Sequence, residues 1–194
     1  MTTIPGWKYR RTITIKENSG NNLTGYQVLI TLDTASLIAE GKMNPDCSDI
    51  RFLDGSGRCY LNYWIEPGTE NTTNTRIWVR VPYIPANGTT TIYMYYGNPN
   101  AKPMSNGNAV FEFFDDFDGP EPGKWIYAAG LRHGFDDPGT GYGKGIWFLG
   151  YADGVVATRT LRTFSNNIVI ETRTWIRNYT SCLFIYISQS PSET

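Results

Sequence analysis

The sequence has few of the residues on which several protein classes depend. Its 194 residues include three cysteines and one histidine, too few for a disulfide scaffold or a zinc site with tight ligand spacing. Charged residues make up only 18% of the chain, and 17 Lys and Arg stand against 18 Asp and Glu. No basic block occurs, so we expect neither a nucleic-acid surface nor an anionic membrane as the partner.

Long apolar runs are also missing. No stretch approaches the roughly 18 residues that a membrane span needs. Residues 1–6 have neither the basic start nor the apolar core of a secretory signal. We therefore expect no membrane span, and we expect that this chain carries no signal peptide.

Aromatic and turn-forming residues are abundant instead, with 14% aromatics, 20 Gly and 11 Pro. Alternation of apolar and polar residues predicts short strands separated by turn-rich loops. These strands are expected near residues 7–15, 26–32, 50–53, 60–66, 75–81 and 89–96. The pattern favours an all-β, antiparallel, jelly-roll-like sandwich. One short helix is predicted at 33–41, capped by Thr34 and ended by Gly41.

A run of turn formers at 97–108 interrupts this pattern and predicts a domain boundary. We expect a β-sandwich domain at 1–98, a linker at 99–109 and a second, incomplete β unit at 110–194. The second unit is expected to open at 110–119 and to continue in strands at 146–149, 155–161, 168–175 and 183–187. The last of these has no charge or breaker to protect its edge, so we expect self-association or pairing with another protein there.

The cysteines differ in their surroundings. Cys47 and Cys59 bracket an Asp-Gly-Ser-Gly turn, and we expect a disulfide across it. Reduced thiols are the alternative, and a metal site is disfavoured because the single histidine, His133, is distant in sequence. Cys182 lies in an apolar run and is interpreted as a small buried residue.

Five ordered motifs resemble the domain of unknown function 2341 family. They are Trp-Lys-Tyr-Arg-Arg at 7–11, Asp-Ile-Arg-Phe at 49–52, Tyr-Trp-Ile-Glu at 63–66, Ile-Trp-Val-Arg-Val-Pro at 77–82 and Tyr-Met-Tyr-Tyr-Gly-Asn at 93–98. The resemblance covers about residues 5–115. It implies an extracellular β-sandwich module of archaeal or bacterial surface proteins, and it supplies no catalytic residues.

Such modules commonly precede a concanavalin-like or laminin-G-like domain. Phe114-Asp115-Asp116-Phe117-Asp118-Gly119, followed by Lys124-Trp125, resembles the opening strand of that domain. A complete domain of this kind needs roughly twice the residues that follow Phe114, so we expect the second unit to be incomplete.

Aromatic residues and arginines form the candidate binding or interface surface. If the strands keep parity, one non-core face carries Tyr60, Trp64, Arg76, Trp78, Arg80, Tyr93 and Tyr95. Aromatics and Arg are enriched at interfaces. Either this face packs against the second β unit, or it is an open platform on which sugar rings stack.

Catalytic and metal-binding patterns are sparse. None of Glu66, Glu112, Glu171 and Glu193 has the carboxylate neighbours on one strand that sandwich glycosidases use, so we expect no enzyme. Asp115, Asp116 and Asp118 form the one tight carboxylate cluster. They are either a calcium site or exposed carboxylates at a strand end, and no other cofactor is expected.

Four sequons, at Asn22, Asn71, Asn87 and Asn178, are compatible with a glycosylated surface protein. The sequence thus predicts a non-enzymatic structural or adhesive protein of an extracellular, cell-surface or virion assembly. The alternative is a carbohydrate-binding module that recognises glycans by aromatic stacking.

Overall fold

The computed structural model describes residues 4–116, 124–127, 132–136, 145–149 and 158–160. Within the first range the elements are β1 (Tyr9–Lys16), β2 (Leu23–Leu32), α1 (Thr34–Ala39), β3 (Arg51–Asp54), β4 (Tyr60–Leu61), β5 (Tyr63–Ile65), β6 (Thr75–Ile84), β7 (Thr89–Tyr96) and α2 (Gly107–Val110). The later ranges contain β8 (Trp125–Tyr127), β9 (Arg132–Asp136), β10 (Gly145–Leu149) and β11 (Thr158–Thr160). Neither described helix is long and apolar enough to cross a bilayer.

The first seven strands form two antiparallel sheets. Sheet A has the order β1-β7-β3-β4, and sheet B has the order β2-β6-β5. Their inner faces share one hydrophobic core, so the expected all-β sandwich is confirmed. The later strands form two separate two-stranded ladders, β9 with β10 and β8 with β11.

Alternation along the central strands determines which side chains enter the core. In β6, Ile77, Val79 and Val81 are fully buried, while the residues between them point to the other face of the sheet. In sheet A, Ile92 and Met94 of β7 fill the facing layer. Burial of this apolar area is the main favourable term for folding.

Helix α1 ends at the expected glycine, but its N-cap is not the expected residue. Asp33 is the N-cap, and its carboxylate accepts a hydrogen bond from the Ser36 N–H at 2.9 Å. Thr34 is fully buried instead, and its hydroxyl lies 2.6 Å from that of Thr75. Gly41, at φ 65°, ends the helix as expected, because this conformation strains other residues.

The segment after β7 departs from the expected linker and opening strand. Residues 107–110 form the second helix, and Asn106 caps it by accepting the Ala109 N–H at 3.2 Å. No strand forms over 110–116, the described part of the expected opening of the second unit. The Asn-Gly pair at 106–107 starts a helical turn here because the asparagine side chain satisfies a free backbone donor.

Among the described residues, β9 and β10 group with the sandwich in one compact unit, whereas β8 and β11 belong to a second. Strands β10 and β11 fall within or around the expected ranges 146–149 and 155–161. His133 lies in β9, paired with Phe148 of β10. Cys182 and the strands expected at 168–175 and 183–187 lie outside the described residues.

The expected disulfide does not form. Cys47 and Cys59 are both free thiols, Cys47 fully buried and Cys59 exposed. Cys47 belongs to the hydrophobic core, whereas Cys59 lies at the hairpin between β3 and β4, where its carbonyl accepts the Asp54 N–H. The Asp-Gly-Ser-Gly turn therefore closes by a backbone ladder, and burial raises the pKa of the Cys47 thiol.

Glu17 joins the two turns at one end of the sandwich. It is 4% exposed, and its carboxylate accepts the backbone N–H groups of Ser19, Gly20 and Asn87, the last two at 2.9 Å. A side-chain hydrogen bond from Ser19 and then the Asn87 N–H are the main causes that lower the pKa of Glu17 to about 2 from 4.5.

We predict a pH-dependent cost for Glu17→Gln. A lowered carboxyl pKa stabilises the fold fully above the unfolded pKa, and this contribution is lost as the pH falls through the folded pKa. The variant should therefore be less stable than the wild type near neutral pH. The gap should close between about pH 5 and pH 2.

Urea unfolding across this pH range measures the gap. Glu40→Gln, at an exposed carboxylate paired with Lys42, is the control and should show no comparable gap at neutral pH. A difference between Glu17→Gln and wild type that stays constant down to pH 2 contradicts the prediction.

Candidate functional site

The candidate aromatic surface is divided between the two sheets. Tyr60 belongs to β4 in sheet A, whereas Trp64 belongs to β5 in sheet B. The chain changes sheets at Asn62, so the parity of one strand does not continue into the next. The predicted single face is therefore wrong: Tyr60, Tyr93 and Tyr95 lie on sheet A, and Trp64, Arg76, Trp78 and Arg80 lie on sheet B.

On the outer face of sheet A, aromatic exposure is uneven. Tyr93 is half-buried, and the Arg10 guanidinium lies 4.7 Å from the centre of its ring. Tyr95 is 2% exposed, whereas Tyr60 is 55% exposed. Tyr60 is thus the one of these three tyrosines that offers most of its ring to a ligand.

On the outer face of sheet B, the two tryptophans are covered by phenylalanines from the segment after α2. Trp64 and Trp78 are directly opposite each other in neighbouring strands. The Phe111 ring lies 5.7 Å from that of Trp64 and 5.5 Å from that of Trp78, in edge-on geometry. Phe114 adds a contact to Trp64 at 4.8 Å. Coverage rather than an open platform describes these two positions.

Backbone hydrogen bonds hold this segment, which we call the strap (residues 105–114), along the outer edge of β5. The Ile65 N–H donates to the Ser105 hydroxyl, and the Asn106 N–H donates to the Tyr63 carbonyl, both at 2.9 Å. The Gln27 side chain donates to the Val110 carbonyl at 2.9 Å. The whole strap thus lies in the range expected to be linker or the start of a new unit, yet it packs along the edge of sheet B.

Gly107 allows the strap to close on the tryptophans. A Cβ at this position would collide with the ring of Phe114, which packs directly on the glycine backbone. The small residue is required for this close approach.

Glu66 connects the tryptophan pair to charge. It is 7% exposed, and its carboxylate accepts the Trp78 indole N–H and the Arg76 Nε–H, each at 2.9 Å. The expected arginines behave differently: Arg76 pairs with Glu66, while Arg80 is exposed and its guanidinium lies over Gly25. A buried carboxylate with these partners is a structural acceptor.

A second polar centre, which the sequence did not single out, forms around Asp49. This residue is fully buried, and its carboxylate accepts backbone N–H groups of Asn44 at 3.0 Å, Gly97 at 2.7 Å and Asn98 at 3.2 Å. Its carbonyl accepts the Trp7 indole N–H at 2.8 Å. Asp49 therefore joins the loop between α1 and β3 to the loop after β7 through its side chain, and to the segment before β1 through its carbonyl.

Arg51 lies beside it and is 5% exposed, and oxygen dipoles solvate its positive charge. Its guanidinium donates to the carbonyls of Ser48, Ile50 and Lys102, and to the Tyr63 hydroxyl at 3.3 Å. The Trp7 ring lies 5.3 Å from it. Burial raises the pKa of Tyr63, and the charge of Arg51 opposes this shift. The bond to Lys102 fixes the path of the chain toward the strap.

Charged residues of the motifs thus form hydrogen bonds within the chain at these two centres, around Glu66 and around Asp49. The signal that could have identified the second centre is the pair of opposite charges within an apolar strand, Asp-Ile-Arg-Phe, because buried charges must be paired or hydrogen-bonded. The arrangement supplies fixed acceptors and donors to the chain itself, and both Asp49 and Glu66 are buried.

The remaining predicted sites are placed only in part. Asp115 is half-buried and Asp116 exposed, while Asp118 lies outside the described residues, so calcium binding stays a prediction. Within the described ranges, no group of three or more His, Cys, Asp and Glu side chains is arranged to hold a metal ion. The sequon residues Asn22, Asn71 and Asn87 are exposed.

We predict that Phe111→Ala destabilises the sandwich by about 3 kcal/mol, because it removes a ring packed against both tryptophans. Tryptophan emission in the folded variant should also shift to longer wavelength, since Trp64 and Trp78 lose cover. Urea unfolding followed by fluorescence measures both effects. Tyr26→Ala, at a 48% exposed aromatic of sheet B, is the control. Equal costs for the two variants contradict the packing role.

We predict that Asp49→Asn costs about 3 kcal/mol, because an amide cannot accept on both sides and leaves a buried backbone donor without a partner. The control is Asp46→Asn, three residues earlier, where the Oδ1 that accepts the Ser48 N–H is retained. The control should lose less than about 1 kcal/mol. Chemical unfolding of both variants decides, and a cost for Asp49→Asn no greater than that of the control is the contrary result.

Comparison with known proteins agrees with the motif resemblance over part of the chain. No curated protein and no solved structure matches. Residues 114–125 resemble the opening of a concanavalin-like domain, but they fall within the range that the model of another family matches. The second resemblance therefore stays a prediction. The first motif, at 7–11, lies before this range. This matched range contains both Asp49 and the strap. Residues 46–128 match the model of a family described as a domain of unknown function (DUF2341).

Proposed function

We propose that this protein is a non-enzymatic structural or adhesive module of an extracellular, cell-surface or virion assembly. One observation carries the proposal: the polar and aromatic residues of the motifs are used to fasten the chain to itself. Asp49 and Arg51 fix the loops, and Glu66 with the two tryptophans fixes the strap. Such internal use suits a scaffold whose shape is its function.

The carboxylates argue in the same direction. General acid and base catalysis needs a carboxyl group within reach of a substrate. Asp49 and Glu66 are buried and hydrogen-bonded to the chain. This supports a protein without hydrolase activity, since these are the acidic residues that the motifs contain.

The surface setting rests on the family resemblance and on the sequons. The family resemblance implies a surface protein, and the three described sequons are exposed, as N-glycosylation requires. The expected partners are therefore further copies of the chain or another surface protein.

Electron microscopy of the purified full chain tests the leading proposal. We expect regular particles or fibres, and no release of sugars from glucans or galactans in parallel assays. Turnover of a polysaccharide that is lost on Glu66→Gln but kept in Glu40→Gln would overturn the non-enzymatic role.

Carbohydrate binding is the second candidate, and the exposed ring of Tyr60, on the same face of sheet A as the Arg10 and Tyr93 pair, favours it. An aromatic ring of this exposure can stack on a sugar face. A glycan array on wild type, Tyr60→Ala and the control Tyr83→Ala tests it, because Tyr83 is similarly exposed on sheet B. Binding that only Tyr60→Ala abolishes favours this candidate; no glycan binding removes it.

A further inference from the structure

Among the described strands, β2 forms an open edge of sheet B. It is the outermost strand on its side, whereas the edge on the other side, β5, is covered by Ser105 and Asn106 of the strap. At ten residues, Leu23–Leu32 is also among the longest strands in the sandwich. An edge of this length presents a row of backbone donors and acceptors.

The direction of that row follows from the ladder geometry. The Arg80 N–H donates to the Asn62 carbonyl, and the Glu66 N–H donates to the Arg76 carbonyl, so the even-numbered residues of β6 turn toward β5. Val79 therefore turns toward β2, and so does its partner Val28 toward β6. By alternation, the backbone groups of Gln27, Leu29 and Thr31 point away from the sheet. Within the described part of the chain, no backbone hydrogen bond to another element uses these groups.

The side chains of this edge carry neither Lys nor Pro as protection, and of these described side chains Gln27 alone reaches an outward group of β2, the Gly25 carbonyl at 3.3 Å. β2 contains no charged residue and no proline. By contrast β1, an edge of sheet A, carries Arg10, Arg11 and Lys16. Lys and Pro are the residues with which sheet proteins blunt their edges. Val28, Leu29 and Ile30 are half-buried, so a partner strand would cover apolar area that the monomer leaves in water.

We propose that β2 pairs with β2 of a second copy, antiparallel about a two-fold axis, and joins two B sheets into one. A two-fold axis at Val28 sets Gln27 opposite Leu29 of the second copy. The backbone N–H and carbonyl groups of both residues point away from their own sheet and toward each other. This register preserves parity, because opposed residues then lie on the same face. The chemistry is self-complementary: β2 meets its copy without charge, whereas β1 meeting β1 would oppose cations. The pairing specifies how copies of the chain associate, and it rests on the structural role proposed above.

Two matched proline variants test the pairing. Thr31→Pro removes an outward N–H from β2 and leaves the ladder to β6 intact. Thr14→Pro does the same on β1. The Glu17 N–H donates to the Gly88 carbonyl, so the backbone groups of the odd-numbered residues face β7 and those of Thr14 face outward. Both threonines are exposed. Sedimentation of the full chain in reductant, which prevents crosslinks through exposed Cys59, measures the dissociation constant, and circular dichroism verifies folding.

We expect a reversible wild-type dimer, a dissociation constant raised at least about tenfold in Thr31→Pro, and no change in Thr14→Pro. If either proline variant fails to fold, Thr31→Lys and Thr14→Lys replace the pair, because a lysine blocks an edge without altering the backbone. A wild type that stays monomeric at high concentration, or equal effects at both edges, overturns the proposal. Particles or fibres that persist unchanged in Thr31→Pro also overturn it, while leaving the structural role standing.

Discussion

The buried charges of Asp49 and Arg51 are the constraint on which the rest of the sandwich depends. A carboxylate and a guanidinium removed from water must find hydrogen-bond partners, or folding fails. The partners include backbone groups distant in sequence, at Gly97 and Lys102. The charges therefore determine where the chain leaves β7, and that exit directs it toward the outer edge of β5.

From this exit the cover of sheet B follows. The chain is fixed at Lys102, pairs with β5 at Ser105 and Asn106, and brings Phe111 and Phe114 onto Trp64 and Trp78. Gly97 contributes to the same path: at φ 87°, with a Cβ position only 2.5 Å from the Tyr9 ring, it has no room for a side chain. Polar burial and aromatic packing are thus consecutive steps along one stretch of chain. They cover the β5 edge, whereas β2 is an open edge among the described strands.

Sequence patterns predicted the strands well because alternation is local. Apolar residues at every second position in β6 and β7 mark the core face irrespective of what lies opposite. The ending of α1 at Gly41 was equally predictable, since a left-handed residue is a local requirement. Thr34 as the cap was wrong because two neighbouring residues could both cap the helix, and burial against Thr75 decided between them.

The sequence by itself determined the fold class, the strand positions and the inventory of aromatic residues and arginines. Only the tertiary structure decided which sheet each strand joins, and the crossing at Asn62 separated Tyr60 from Trp64. It also decided that Cys47 turns into the core away from Cys59, and that phenylalanines assigned to the second β unit cover the tryptophans. The physical reason is that alternation reports a residue's face within its own strand, whereas sheet order, edges and cover depend on contacts between segments far apart in the chain.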